Sequence, residues 1–464
     1  MTTPVDVLII GAGASGAVVA WSLAETKMHI LLSRAGRVDE AVRISQHRSR
    51  LGGASVQRFP HQPQPPQARR RLSGQRHGVA DQVANFNGVG GGTVLYAGHF
   101  PRFHPSDFRV RSIDGVADDW PIDYATLEPF YAENDRIMGV SGLAGDPAYP
   151  PHEPMMPPLP LGKSGATLAS GLNKLGWHWW PSDSAIASVD YEGRAKCINL
   201  GHCTSGCAQG AKASTDITYW PAAIRAGVEL RTRCRVRKIT TNEHGMASGV
   251  VYYDADGVEH FQPAEVLILA CNAVGSARIL LNSASARFPT GLANSSGLVG
   301  KNLMFHPYAR IAGYFDETLD GYRGPGNCIW SQEFYETDRS RGFVRGYTFE
   351  FSRGQGTVMA AVDGMQIGRL PWGAEHHRAY RKLFCHRTGM VAICEDLPEE
   401  HNTVTLDPEL KDSHGIPAPK ITYTLSANSR SMLDHAVARA SEILRAAGRT
   451  ICGTKRRSRE AAGT

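Results

Sequence analysis

The 464 residues are too many for one small domain and suit a two-domain chain with a large buried core. With 42% hydrophobic and 20% charged residues, the bulk is globular rather than disordered. The net charge of +6 has a local origin, because residues 33–83 hold ten arginines, no lysine and three acids. A basic face spread over a fold is therefore missing, which argues against nucleic acid as a partner. No apolar run reaches eighteen residues, so no transmembrane segment is expected. Residues 1–10 lack a basic leader and a cleavage site, which points to the cytoplasm. Nine cysteines in a chain of this length do not make a secreted disulfide scaffold.

In chain order, the apolar run 5–10 reads as a buried parallel strand. Gly11, Gly13 and Gly16 follow at dinucleotide-fingerprint spacing, and 17–25 reads as a helix. Gly11 permits the tight turn, Gly13 lets a pyrophosphate approach the backbone, and Gly16 lets helix and strand pack closely. The helix start faces the phosphates with free N–H groups and a partial positive charge. A second strand, 29–32, should end on a carboxylate for the ribose hydroxyls, but Ser33 stands there. Residues 33–83 then run rich in Arg, Gln, Pro and Ser, with Phe59 as the one aromatic residue and neither strand nor helix period.

Regular text resumes at Asn85. Gly90, Gly91 and Gly92 lead into an apolar run and form a second place for close backbone approach. Asp123 is positioned to cap a helix that runs to Met138. Residues 147–160 form a proline-rich connection. Strands are expected at 228–240 and 249–253 around a turn at 242–245, and a buried strand at 265–270 precedes a helix at 275–283. Short strand-like segments between 308 and 424, such as 311–315 and 403–406, suit an antiparallel sheet, and 429–447 is an amphipathic helix.

Cys197, Cys203 and Cys207 lie within eleven residues as C-x5-C-x3-C on a glycine-containing loop. Converging thiolates ligate soft metal centres, and three of them suit an iron–sulfur cluster. A structural turn with reduced thiols, a disulfide between two of them, or zinc with His202 as fourth ligand are the other readings.

Three segments in order resemble the glucose–methanol–choline (GMC) oxidoreductases. They are 11–25, the block 88–93 with its three glycines, and the strand and helix of 266–281. The stretches 100–108 and 300–307 are similar to the branch in which a GMC flavoprotein is the large subunit of a sugar or polyol dehydrogenase. The resemblance implies an α/β fold, with a Rossmann-like FAD-binding domain and a second, smaller antiparallel-sheet substrate domain. It implies FAD held by Gly11, Gly13, Ser15, Gly16, Gly90, Gly91, Gly92 and Thr93, with the Val236 backbone at the adenine. It also implies a 3Fe-4S cluster on Cys197, Cys203 and Cys207, relaying electrons from flavin to a one-electron acceptor. The implied partners are a sugar or polyol substrate, a small subunit that could carry the chain through the envelope, and a cytochrome c acceptor.

The expected domains are 1–32 with 84–310 for FAD, 33–83 as an aberrant segment, 311–428 for substrate, and 429–464 as a returning helix with a truncated tail. The resemblance also implies a catalytic histidine in a Gly-Trp-His-x-x-Gly-Thr stretch, which this sequence does not contain. No catalytic residue is named on that basis, and impaired turnover is expected. His306 and His104 read as structural. The arginine-rich texts after Ser33 and after Gly448 share a signature expected of reading-frame changes, with an inserted partner-binding loop as the competing account. Against the dehydrogenase stand a non-catalytic scaffold subunit of the same descent and an acidic-polymer binder. A nicotinamide enzyme would lack the second glycine block.

Overall fold

The computed structural model describes residues 3–26, 28–33, 76–77, 86–353, 356–366, 368–449 and 451–455. The expectations for 33–83 therefore lie outside the described residues, apart from Ser33 and a two-residue strand, Arg76–His77. The chain folds as two compact units. Unit 1 contains 1–95, 214–304 and 398–424, and unit 2 contains 96–213, 305–397 and 425–464.

In unit 1, Val5–Ile10 is buried at every residue but Asp6, as a strand inside a parallel sheet requires. The Asp6 carboxylate accepts the His29 N–H at 2.7 Å, which anchors the chain as it enters Ile30–Ser33. The six strands run in the order Glu229–Arg231, Ile30–Ser33, Val5–Ile10, Glu259–Leu269, Ala247–Tyr253, Arg235–Thr241. The first four are mutually parallel and the last two join antiparallel. The Asn242 side chain accepts N–H groups of His244 and Met246 in the expected turn, which Gly245 completes at φ +82°. Helix Asn272–Asn282 follows the eleven-residue strand. Strands Thr403–Lys411 and Pro417–Thr422 pair in a small second sheet.

Unit 2 is built on an antiparallel sheet in the order Ile451–Lys455, Tyr308–Tyr314, Arg387–Cys394, Tyr347–Ser352, Asn327–Phe334, Trp180–Pro181. Tyr347, Phe349 and Phe351 alternate with less buried Thr348, Glu350 and Ser352, the period-2 signature of a strand with one core face. That core also takes up helices Gly162–Leu175 and Ala427–Ala446. Gly171 lets the two helices touch, because a Cβ there would lie 2.8 Å from the Ile443 carbonyl oxygen. The long helix starts where Ser426 accepts the Ser429 N–H at 3.0 Å, and it buries Met432, Ala436, Ala440, Ile443 and Leu444. Asp123 caps Tyr124–Met138 as its position predicted.

Two features differ from the sequence reading. Residues 96–213 cluster with the antiparallel sheet and 398–424 with the parallel one, whereas sequence boundaries put them the other way round. The unpatterned text after Gly448 contributes an edge strand, Ile451–Lys455, paired with Tyr308–Tyr314. An edge strand needs only backbone pairing on one side, so it leaves little periodic signature.

Three carboxylates converge on one buried guanidinium in unit 2. Arg345 pairs with Asp107, with Asp114 at 3.4 Å and with Glu395 at 2.9 Å. Burial, opposed by the Arg345 charge and reinforced by Asp107, pushes the Glu395 carboxyl up to about 7. The folded chain therefore holds a proton between about pH 4.5 and 7 that the unfolded chain has released. Stability should fall as pH rises through that window. In Glu395→Gln this contribution should vanish, so urea midpoints of variant and parent should diverge in the variant's favour from pH 4.5 to 7.

Candidate nucleotide site

The first strand ends at Ile10, whose carbonyl accepts the Ala270 N–H at 2.8 Å. Gly11 follows at φ +112°, and a Cβ there would lie 2.2 Å from the Ala270 carbonyl oxygen. Only glycine fits that turn. Gly13 then begins helix Ala14–Leu23 with no side-chain cap and no acid in the first turn. The first-turn N–H groups have no partner within the helix, and the positive end of its dipole lies there. Ser15 is exposed in that turn and Gly16 is buried beneath it.

The second glycine block closes on the first. The Gly90 N–H donates to the Ala12 carbonyl at 2.9 Å, and the Trp220 indole donates to the same oxygen at 3.3 Å. A Cβ on Gly91, at φ +55°, would lie 2.7 Å from the Gly13 Cα. Gly92 faces open space, with nothing within 4 Å of an added Cβ. The Thr93 hydroxyl donates to the Gly90 carbonyl at 2.6 Å and accepts the Thr215 N–H at 3.1 Å. Thus Gly11, Gly13, Ser15, Gly16, Gly90, Gly91, Gly92 and Thr93 are brought together within unit 1. Thr215 and Trp220, which lock the block from more than a hundred residues away, carry no sequence signal for that role.

Uncapped N–H groups beside side-chain-free backbone fit a pyrophosphate. Ser33, buried at the end of its strand, holds a hydroxyl oxygen with no hydrogen-bond partner among the described residues. That orphaned group fits a sugar hydroxyl at the place where a carboxylate was expected. Val236 lies on Arg235–Thr241, the edge strand three places from Val5–Ile10, opposite Tyr252.

Cys197, Cys203 and Cys207, the expected cluster ligands, lie on one loop of unit 2. Among the described residues, no three His, Cys, Asp or Glu side chains are placed to hold a metal ion. Cys203 turns inward against Leu159 and Ile186, with Cys197 packed beside it. Burial pushes the Cys197 and Cys203 thiols up. Backbone N–H groups of Asn199 and Lys212 donate to the Cys197 and Cys207 sulfurs at 3.4 and 3.5 Å. All three are free thiols, so the disulfide reading is not formed either.

Unit 2 carries a buried polar group that motif reading missed. His99 Nδ1 meets Glu350, whose other oxygen accepts from Asn327 at 3.0 Å. Burial raises the Glu350 carboxyl, yet the histidine and Asn327 together hold it below the usual range. His99 Nε2 has no hydrogen-bond partner. An imidazole oriented by a carboxylate, with its second nitrogen open, can accept a proton. His104 stacks on Tyr335 at 3.9 Å and His306 contacts the Cys394 carbonyl at 3.3 Å, packing and backbone roles respectively.

Two glycine blocks meeting at a helix start on a largely parallel sheet, in a chain that also folds an antiparallel-sheet unit, define an α/β protein. The GMC oxidoreductase family profile matches residues 163–308. The chain is 41% identical over 370 residues to 2-methyl-1,2-propanediol dehydrogenase of Mycolicibacterium austroafricanum, covering 78% of this chain and 67% of that protein. It is 29% identical to the fructose dehydrogenase large subunit of Gluconobacter japonicus, covering 97% and 85%. Formate oxidase of Aspergillus oryzae shares the fold at TM-score 0.59 and 14% identity, over 98% of this chain and 87% of that one. The chain belongs to the GMC oxidoreductases, enzymes that act on CH–OH donors.

Backbone contact at Gly91 gives a direct test. Gly91→Ala drives a Cβ into Gly13 at a left-handed φ, and overpacking of this kind costs about 1–3 kcal/mol. Gly92→Ala has room and should leave the urea midpoint unchanged, whereas Gly91→Ala should lower it.

Proposed function

We propose that the chain is an FAD-dependent dehydrogenase that oxidises a CH–OH group of a polyol or sugar. The observation that carries this is the contact of the two glycine blocks at an uncapped helix start. The substrate class is supported by the diol and sugar dehydrogenases among its relatives. When bound, FAD supplies a two-electron acceptor for the hydride that leaves the alcohol carbon. The first-turn N–H groups of Ala14, Ser15 and Gly16 would hold the pyrophosphate, and the backbone of 90–92 would lie along the cofactor without side-chain obstruction. Ser33 Oγ would bond a ribose hydroxyl, and the Val236 backbone the adenine. Electrons would pass to a cytochrome c acceptor, and the relative named as a large subunit supports assembly with a small subunit. No transfer step is assigned to the cysteine loop.

Ser33 sets the strength of binding in this reading. Charged hydrogen bonds are worth about 1.5–3 kcal/mol each, and tenfold in affinity corresponds to about 1.4 kcal/mol. A hydroxyl in place of a carboxylate should therefore weaken FAD at least tenfold, so that activity depends on added FAD. Titrating FAD into purified protein should give saturable flavin fluorescence quenching, at least tenfold tighter in Ser33→Glu. The loaded protein should reduce a dye slowly with 2-methyl-1,2-propanediol or fructose. A folded chain that takes up no FAD yet retains a companion protein would establish the scaffold subunit instead.

A further inference from the structure

Within unit 2 a cavity of ≈ 260 Å³ opens at the start of helix Gly162–Leu175. Its lining includes Lys163, Asn199, Asp320, Arg323 and Arg353. Arg353 is the unusual member. It is 8% exposed, and its Nε and Nη2 have no hydrogen-bond partner among the described residues. Its backbone is held on both sides, with the N–H donating to the Gly326 carbonyl at 3.1 Å and the carbonyl accepting from Ser164 Oγ at 3.0 Å. The guanidinium is wedged between two glycines at positive φ. A Cβ on Gly162 would lie 3.3 Å from its Cζ, and one on Gly324 would lie 2.0 Å from Nη1.

A buried guanidinium without a counter-charge is strongly unfavourable, so something should face it. The side chain beside it is the fully buried Cys328 thiol, a weak acceptor that burial keeps neutral. Asp320 lines the same cavity but makes no ion pair with Arg353 among the described residues. The counter-charge that fits is external. The Nε and Nη2 edge presents two parallel N–H donors, the fork that takes two oxygens of one oxyanion. The helix start adjoining it has no side-chain cap and no acid in its first turn. Lys163 and Arg323 stand exposed at the mouth, and with Arg353 they exceed Asp320 by two charges.

We propose that this cavity is a binding site for a dianionic phosphoryl group, either free phosphate or a small phosphomonoester. The fork and the helix start would grip the oxygens, while Lys163 and Arg323 attract the ligand and face any ester group. The site goes beyond the dehydrogenase reading and does not depend on FAD.

The test is calorimetric titration of the full-length chain with inorganic phosphate, and in a second arm with glycerol 3-phosphate. Saturable one-to-one binding is expected, weakening with added salt and below about pH 6, where the dianion takes up a proton. Tighter binding of the ester would identify a phosphomonoester as the ligand, and equal affinity would identify free phosphate. Arg353→Met should lower affinity at least tenfold. Should that variant fold poorly by circular dichroism, Lys163→Ala with Arg323→Ala, both at exposed positions, should still lower it tenfold. The proposal is overturned if the folded parent binds neither ligand. It is equally overturned if folded variants bind as the parent does, since the anion would then be held by other basic residues such as those of 33–83.

Discussion

Backbone meets backbone where strand Val5–Ile10 gives way to helix Ala14–Leu23, and the organisation of unit 1 depends on that contact. Gly11 passes the Ala270 carbonyl and Gly91 passes the Gly13 Cα at separations that leave no space for a methyl group. The neighbouring strands hold the turn in place, with Gly11 N–H on the Ser33 carbonyl and Ala270 N–H on the Ile10 carbonyl. Parallel strands bring helix starts to one edge of a sheet, and there the unpaired N–H groups become available to an anion. The polar pins on the second block, Thr93 with Thr215 and Ala12 with Trp220, keep it from relaxing away. The proposed nucleotide cradle is in this sense a consequence of missing side chains held in position by distant ones.

Unit 2 manages charge in a different way. Its core is apolar, yet Arg345, Asp146 and Asp183 are buried around it. Most are matched: Arg345 meets three carboxylates, Asp146 meets His178 and Trp330, and Asp183 meets His152. Buried ions of this kind add little net stability over apolar packing, but removing one partner is strongly destabilising. Against that background an unmatched buried cation such as Arg353 stands out.

Much of the candidate nucleotide site was legible in the sequence. The glycine spacing after an apolar run pointed to the turn, and the second block pointed to another close approach; both segments form the cradle. Asp123 and the 242–245 turn were readable for the same reason, because Asp and Asn side chains bond backbone groups two or three residues away. His99 with Glu350, 251 residues apart, left no motif at all.

The sequence by itself determined the conformations that depend on a residue and its near neighbours. These are the buried strand of 5–10, the glycine turn, the capped helix starts at Asp123 and Ser426, and the absence of a carboxylate after the second strand. Only the tertiary structure decided which strands pair, that 96–213 joins the antiparallel sheet, which carboxylates surround Arg345, and that Arg353 is left without one. The physical reason is range. Backbone sterics and local hydrogen bonds act over a few residues and are written in short patterns. Burial and charge pairing are set by groups hundreds of positions apart, whose approach follows from the packing of the whole unit.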